Sequence, residues 1–231
     1  MSHSINLLRL KAVSTALYPL QTQVVFVGGA TVSLYADRKA EEVRPTDDVD
    51  VLIEIWAYKD YAAIEEKCRS IGFVNDTKSN IIGRYKIQGI VVDIMTTTDA
   101  ALGFTNKWYA NGFKNAIDYV IDESHNIKIF TAPYFIASKL EAFKSPNRKN
   151  NNNGIYSSDF EDIVFVLENR SSLWDELKCA EEDVKKYLKN EFAQLLQNTL
   201  FEEWLEAHLS FSNMPATQYI IQNLEEFIND I

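Results

Sequence analysis

The stretch Arg44-Pro45-Thr46-Asp47-Asp48-Val49-Asp50-Val51-Leu52-Ile53 decides how this chain is read. A turn built around Pro45 runs into DVDVLIEI at 48–55, whose alternation predicts a β-strand. Residues two apart on a strand point to the same face. Asp48 and Asp50 therefore share one face, and Val49, Val51, Ile53 and Ile55 share the other, which is expected to meet the core. Two neighbouring carboxylates repel unless a counter-charge sits between them. A hard divalent cation such as Mg²⁺ or Mn²⁺ supplies that charge through oxygen ligands. An Asp-x-Asp pair by itself is also common where acids cap turn amides.

Working outward, QVVFV at 23–27 predicts a short strand ending at Gly28-Gly29, followed by a helical stretch from Ala30 to Ala36. Strand, glycine pair and helix start make a place where backbone can approach phosphate oxygens. A tight turn needing positive φ explains the same glycines. Arg44 and Thr46 can orient phosphates or shape the turn before the acids. Further on, Arg84–Gln88 and Ile90–Met95 flank Gly89 and predict paired strands. The second of these carries Asp93 in an apolar run, IVVDIM at 90–95, where a lone acid is costly unless paired or metal-bound. If the two acid-bearing strands are neighbours, Asp48, Asp50 and Asp93 converge and can hold two metals.

Helices are expected over 4–18, Tyr58–Ser70, 134–144, 158–169, 181–209 and 217–229, and a short strand over Ile127–Phe130. The expected fold class is α+β: a mixed sheet with flanking helices in residues 1–131, then a helical part in 132–231. SPNRKNNNNGIYSS at 145–158 offers little apolar surface and is expected to be a mobile loop that orders on triphosphate or acceptor.

The chain of 231 residues is long enough for a sizeable core, and 46% hydrophobic with 24% charged residues fits a globular protein. No apolar run approaches the length of a membrane span, and MSHSINLLRLKAV lacks the pattern of a signal peptide. Cys68 and Cys179 fall in helix-like stretches and are expected to be free buried thiols in a reducing, cytoplasmic compartment. Three scattered histidines offer no zinc spacing. A net charge of −10 argues against nonspecific duplex binding, while permitting a small-molecule substrate or contact with a nucleic-acid end.

VGGA at 27–30, RPTDDVDVLI at 44–53 and VVDIM at 91–95 resemble the nucleotidyltransferase superfamily of the DNA polymerase β type. The phrase R-x-T-x-D-h-D-h, with h apolar, most resembles the AbiEii/AbiGii toxin branch of type IV toxin–antitoxin systems. ASKLEAFKSPNR at 137–148 and SSDFEDIVFVL at 157–167 are similar to later helices of that branch. The resemblance implies a transferase that moves a nucleoside monophosphate from an NTP to an acceptor hydroxyl. It places Gly28 and Gly29 at the glycine motif, Asp48 and Asp50 at the metal pair and Asp93 at the third carboxylate. It further places Lys139 at the triphosphate, Asp159 and Asp162 at the acids that follow, and Arg148 on the basic loop. Ala30 stands where many relatives have Ser, leaving Thr31 as the nearest hydroxyl. The branch implies an RNA acceptor such as the 3′ end of transfer RNA, received by Lys139, Lys144, Arg148 and Lys149, and a cognate antitoxin. An aminoglycoside-like enzyme acting on a small molecule, or a member that binds nucleotide or partner without turnover, are the alternatives.

Read from the residues alone, Lys139 sits among Phe135, Ile136, Leu140 and Phe143, as a stem at a core edge would. Asp159 and Asp162, at i and i+3, also suit the start of a helix.

Overall fold

The computed structural model describes residues 2–37, 43–54, 58–79, 81–98, 105–146, 148, 153–209 and 217–230. Two compact units are formed, Met1–Ser33 with Glu42–Thr131, and Leu34–Glu41 with Ala132–Ile231.

The first unit is built on a seven-stranded mixed sheet. In chain order its strands are β1 (Val24–Val27), β2 (Asp48–Ile53), β3 (Val74–Asn75), β4 (Arg84–Ile87), β5 (Ile90–Thr96), β6 (Ile117–Asp122) and β7 (His125–Ile129). Their order across the sheet is β3-β4-β5-β2-β1-β7-β6. β1 is wholly apolar and buried at all four positions, as a strand covered on both faces must be. It pairs antiparallel with β2 and parallel with β7. β2 and β5 are parallel, and the chain between them carries α2 (Tyr58–Ser70) and the strands β3 and β4. Helix α1 (Ser2–Ala16) lays Leu10 and Val13, both fully buried, toward β2, β5 and β7. A short helix α3 (Tyr109–Lys114) brings Gly112 against the ring of Phe130, where an added Cβ would lie 2.7 Å from the ring. At the edge, β6 carries Asp118 and Asp122, charges of the kind that discourage further strand pairing.

Valines 49 and 51 and Ile53 are fully buried, as the alternation of β2 predicts. Leu52 is buried too, which means that only the start of the strand opens to solvent. The expected strand and helix around the glycine pair are present, the helix as a 3-10 helix over Gly29–Tyr35. Ile55 lies outside the described residues.

The second unit contains α4 (Ala132–Phe143), α5 (Ser158–Asn169), α6 (Leu173–Lys178), α7 (Glu182–Leu196), α8 (Phe201–Glu206) and α9 (Thr217–Asn229). α4 packs against α5, α6 and α7, and α9 against α6, α7 and α8. Phe143, Phe160 and Trp204 form an aromatic cluster with ring centroids 5.5–6.0 Å apart. The segment beginning at Leu34 joins this unit because Arg170 donates to the Tyr35 carbonyl and Ser171 to the Asp37 carboxylate.

One long helix over 181–209 is not what forms. The chain breaks after Leu196, and Asn198 accepts a hydrogen bond from the Leu200 amide, starting α8 afresh. Leu200, in the break between the two helices, is exposed. The six-residue α6 is too short to show a period and was not foreseen. Cys68 is buried as expected, but Cys179 is exposed, because it falls at the C-terminal cap of α6. Residues 147 and 149–152 of the Asn-rich loop lie outside the described residues, and the expectation about the loop's mobility falls on them. No helix among the described residues is long and apolar enough to cross a membrane.

Candidate active site

Strand register brings the acids together. Asp50 on β2 pairs with Asp93 on β5, and Asp48 pairs with Val91 on the same two strands. Paired residues on adjacent strands share a face, so Asp48, Asp50 and Asp93 point the same way. One ligand oxygen from each lies within 4.8 Å of the others. All three are half-buried, and no other group of three such residues is found among the described ones. Octahedral Mg²⁺ binds oxygen ligands at about 2.1 Å. Hard carboxylate oxygens are the donors such an ion prefers.

The glycine pair shapes the same spot. Gly28 has φ +72°, in the left-handed region, and a Cβ placed there would lie 1.8 Å from Asp50 Oδ2. At Gly29 a Cβ would lie 2.3 Å from Arg44 Nη2 and 2.9 Å from Thr46 Cγ2. The missing side chains therefore make room for the Asp50 carboxylate and the Arg44 guanidinium. Thr31 is fully buried, and its hydroxyl donates to the Gly28 carbonyl at 2.9 Å, which locks the turn. Thr46 also faces inward, its hydroxyl donating to Asn6 Oδ1 at 3.1 Å.

One residue of the site was missed. Arg84 lies opposite Asp93 on β4 and donates from Nε to Asp93 Oδ1 at 2.7 Å and from Nη2 to Asp93 Oδ2 at 2.6 Å. The same Nη2 donates to Asp48 Oδ2 at 2.9 Å. The hydrogen bonds it donates to Asp93, against the opposing effect of burial, raise the guanidinium's pKa, as do the charges of Asp93, Asp48 and Asp50. The signal was present in the sequence. Gln88 and Gly89 both take positive φ, 51° and 80°, and form a two-residue hairpin turn. Counting back from that turn, Ile87 meets Ile90 and Arg84 meets Asp93.

The second unit holds its own charge cluster. Lys139 on α4 reaches Asp159 Oδ1 at 3.0 Å and Asp162 Oδ2 at 2.7 Å, both on α5. All three side chains are at most 8% exposed. Arg148 Nε lies 2.9 Å from Asp159 Oδ2. The helix start is capped by Ser157, whose hydroxyl accepts from the Phe160 amide, which leaves the two Asp carboxylates to Lys139 and Arg148. Lys144 faces Glu191 at 2.7 Å and Glu141 at 3.6 Å. The described cations of the expected basic patch, Lys139, Lys144 and Arg148, thus each have acidic partners, and Lys149 lies outside the described residues.

No family model matches the sequence, and no curated protein matches it. Among solved structures, the crystal structure of an antigenic nucleotidyltransferase-like protein from Paracoccidioides brasiliensis is similar, with a TM-score of 0.51 at 15% identity. The similarity covers 92% of this chain and 97% of that one. The chain therefore shares the fold of a nucleotidyltransferase-like protein, with a three-carboxylate cluster on its sheet that can hold a divalent metal.

Proposed function

We propose that this protein is a metal-dependent nucleotidyltransferase that moves a nucleoside monophosphate from an NTP to an acceptor hydroxyl, releasing pyrophosphate. The observation that carries this reading is the convergence of Asp48, Asp50 and Asp93 from two adjacent strands, in a chain with that fold. Asp48, Asp50 and Asp93 would hold Mg²⁺ or Mn²⁺, which when bound neutralises phosphate charge and lowers the pKa of the attacking hydroxyl.

The chain's own residues contribute position. Gly28 lets the Asp50 carboxylate sit against backbone, and the buried Thr31 bond keeps that turn from opening. Asp93 is the residue to accept the acceptor's proton, which requires that one of its oxygens be free of Arg84. Arg44, held beside Gly29, is the cation of this unit suited to meet phosphate oxygens at the glycine turn. In-line attack on phosphorus depends chiefly on such positioning and charge neutralisation.

For the acceptor, the toxin-branch resemblance favours an RNA 3′ end, and with it a cognate antitoxin as partner. A small hydroxylated molecule is favoured by the net charge of −10 and by the acidic partners of Lys139, Lys144 and Arg148. Incubating the protein with labelled NTPs and Mg²⁺ or Mn²⁺, with purified transfer RNA or with a panel of aminoglycosides and related alcohols, separates the two. Label on RNA supports the first and label on a small alcohol the second. Absence of transfer to either, with every NTP and both metals, would refute the enzymatic reading.

A further inference from the structure

The Arg84 guanidinium bridges two of the three carboxylates at the candidate site and stands where cations are expected. Resting on the metal-site reading above, we propose that Arg84 is a tethered counter-cation that latches the acidic site and must yield for full metal loading. Nη2 of Arg84 bridges Asp93 and Asp48, at 2.6 and 2.9 Å, so an ion shared by those two carboxylates and this nitrogen exclude each other. The contacts are unequal. Asp48 receives one hydrogen bond, while Asp93 receives two in the planar fork that suits a carboxylate.

Release is therefore expected in two stages. The single bond to Asp48 gives way first, so that one ion binds through Asp48 and Asp50 while Arg84 keeps Asp93. A second ion, which needs Asp93, binds only when the fork opens. The placement is built into the fold, not made by a chance rotamer. The two-residue turn at Gln88-Gly89 fixes Arg84 opposite Asp93, and the parallel register fixes Asp93 opposite Asp50. Such a latch offsets like-charge repulsion when no metal is present. It also favours loading by a metal that arrives with a triphosphate, whose own negative charge gives the displaced guanidinium a new partner.

The test uses Mn²⁺ alone, titrated into the full chain and followed by electron paramagnetic resonance, with melting temperature read in parallel. Arg84→Gln is compared with wild type, and Arg84→Lys, which keeps the charge without the fork, guards against misfolding. Arg84→Gln is expected to bind Mn²⁺ at least about tenfold more tightly, equivalent to about 1.4 kcal/mol, or to take up a second ion that wild type refuses. Arg84→Lys should fall between the two. In the presence of a chelator Arg84→Gln should melt below wild type, and Mn²⁺ should raise its melting temperature more than it raises that of wild type. A merely structural arginine would lower the melting temperature with and without Mn²⁺ alike. If wild type binds Mn²⁺ and both variants bind it equally well or less well, the latch is wrong and the metal site stands. If no form binds Mn²⁺, and Asp50→Asn behaves as wild type, the metal site itself is wrong and the latch falls with it.

Discussion

Both units gather aspartates around a cation, yet the two clusters differ in balance and exposure. On the sheet, Asp48, Asp50 and Asp93 face Arg84, and the side chains of Asp48 and Arg84 are 34% and 22% exposed. In the helical unit, Asp159 and Asp162 face Lys139 and Arg148, with the two aspartates at most 3% exposed. The first cluster gathers three carboxylates, is only half-buried, and could hold a metal ion. The second is matched and enclosed, so its parts are held by one another. Three convergent carboxylates with access to solvent, more than the mere presence of acids, distinguish a candidate cation site from a cluster that ties helices together.

The largest expected effect follows from enclosure. Lys139→Met leaves Asp159 and Asp162 in a dry setting with one cation fewer, and breaking a buried pair in this way costs about 3–5 kcal/mol. Urea denaturation should show that loss. Asp50→Asn removes one of three like charges from a half-exposed site and should change stability by less than about 1 kcal/mol. Equal losses in the two variants would break the comparison.

Activity should respond in the opposite sense. Asp48→Asn and Asp50→Asn keep the shape of the side chain but lose the charge that holds the cation, and a fall in turnover of at least about 10²-fold is expected. Circular dichroism should remain that of wild type. Wild-type turnover in both variants would contradict the assignment.

A smaller effect tests the cradle of Asp50. Gly28→Ala puts a Cβ where Asp50 Oδ2 now lies, at a residue with φ +72°. The left-handed conformation alone costs an L side chain about 1–2 kcal/mol. Mn²⁺ affinity should fall with stability, because the carboxylate must move. Unchanged Mn²⁺ affinity in Gly28→Ala would separate the glycine turn from the metal site.

Much of this was legible in the sequence, and the reason is strand parity. The alternation in DVDVLI fixes which residues share a face, and an acid within IVVDIM stands out against apolar neighbours. Arg84 escaped because a lone arginine in a short strand has no pattern of its own, and its meaning lies in a register set by the turn at Gln88-Gly89. The partners of Lys139 were named individually but not joined, since α4 and α5 are separated by the Asn-rich loop and a helical period does not say which faces meet. The break after Leu196 was hidden for a related reason. Asn198 takes the Leu200 amide into a local side-chain bond just beyond the end of α7 while the apolar period continues through it.

The smallest effect uses the two thiols, one in each unit, to ask whether the clusters stabilise their units separately. Cys68 on α2 is fully buried, and its pKa is pushed up to about 11, by burial first and by the charge of Glu65 second, against the influence of Arg69. Cys179 is exposed. Near pH 8 a disulfide reagent should therefore modify one thiol quickly and the other only as fast as the first unit opens. The neutral thiol is the form the folded state keeps, so stability from this group is fully present below the unfolded value. It declines as pH rises from the ordinary value of 9.0 towards 11, because over that window the unfolded chain has released a proton that the folded chain retains. In Lys139→Met, protection of Cys68 should persist if the loss stays within the helical unit, and should disappear if the units unfold together. Fast modification of Cys68 in the folded wild type would show that the sheet unit is looser than its burial implies.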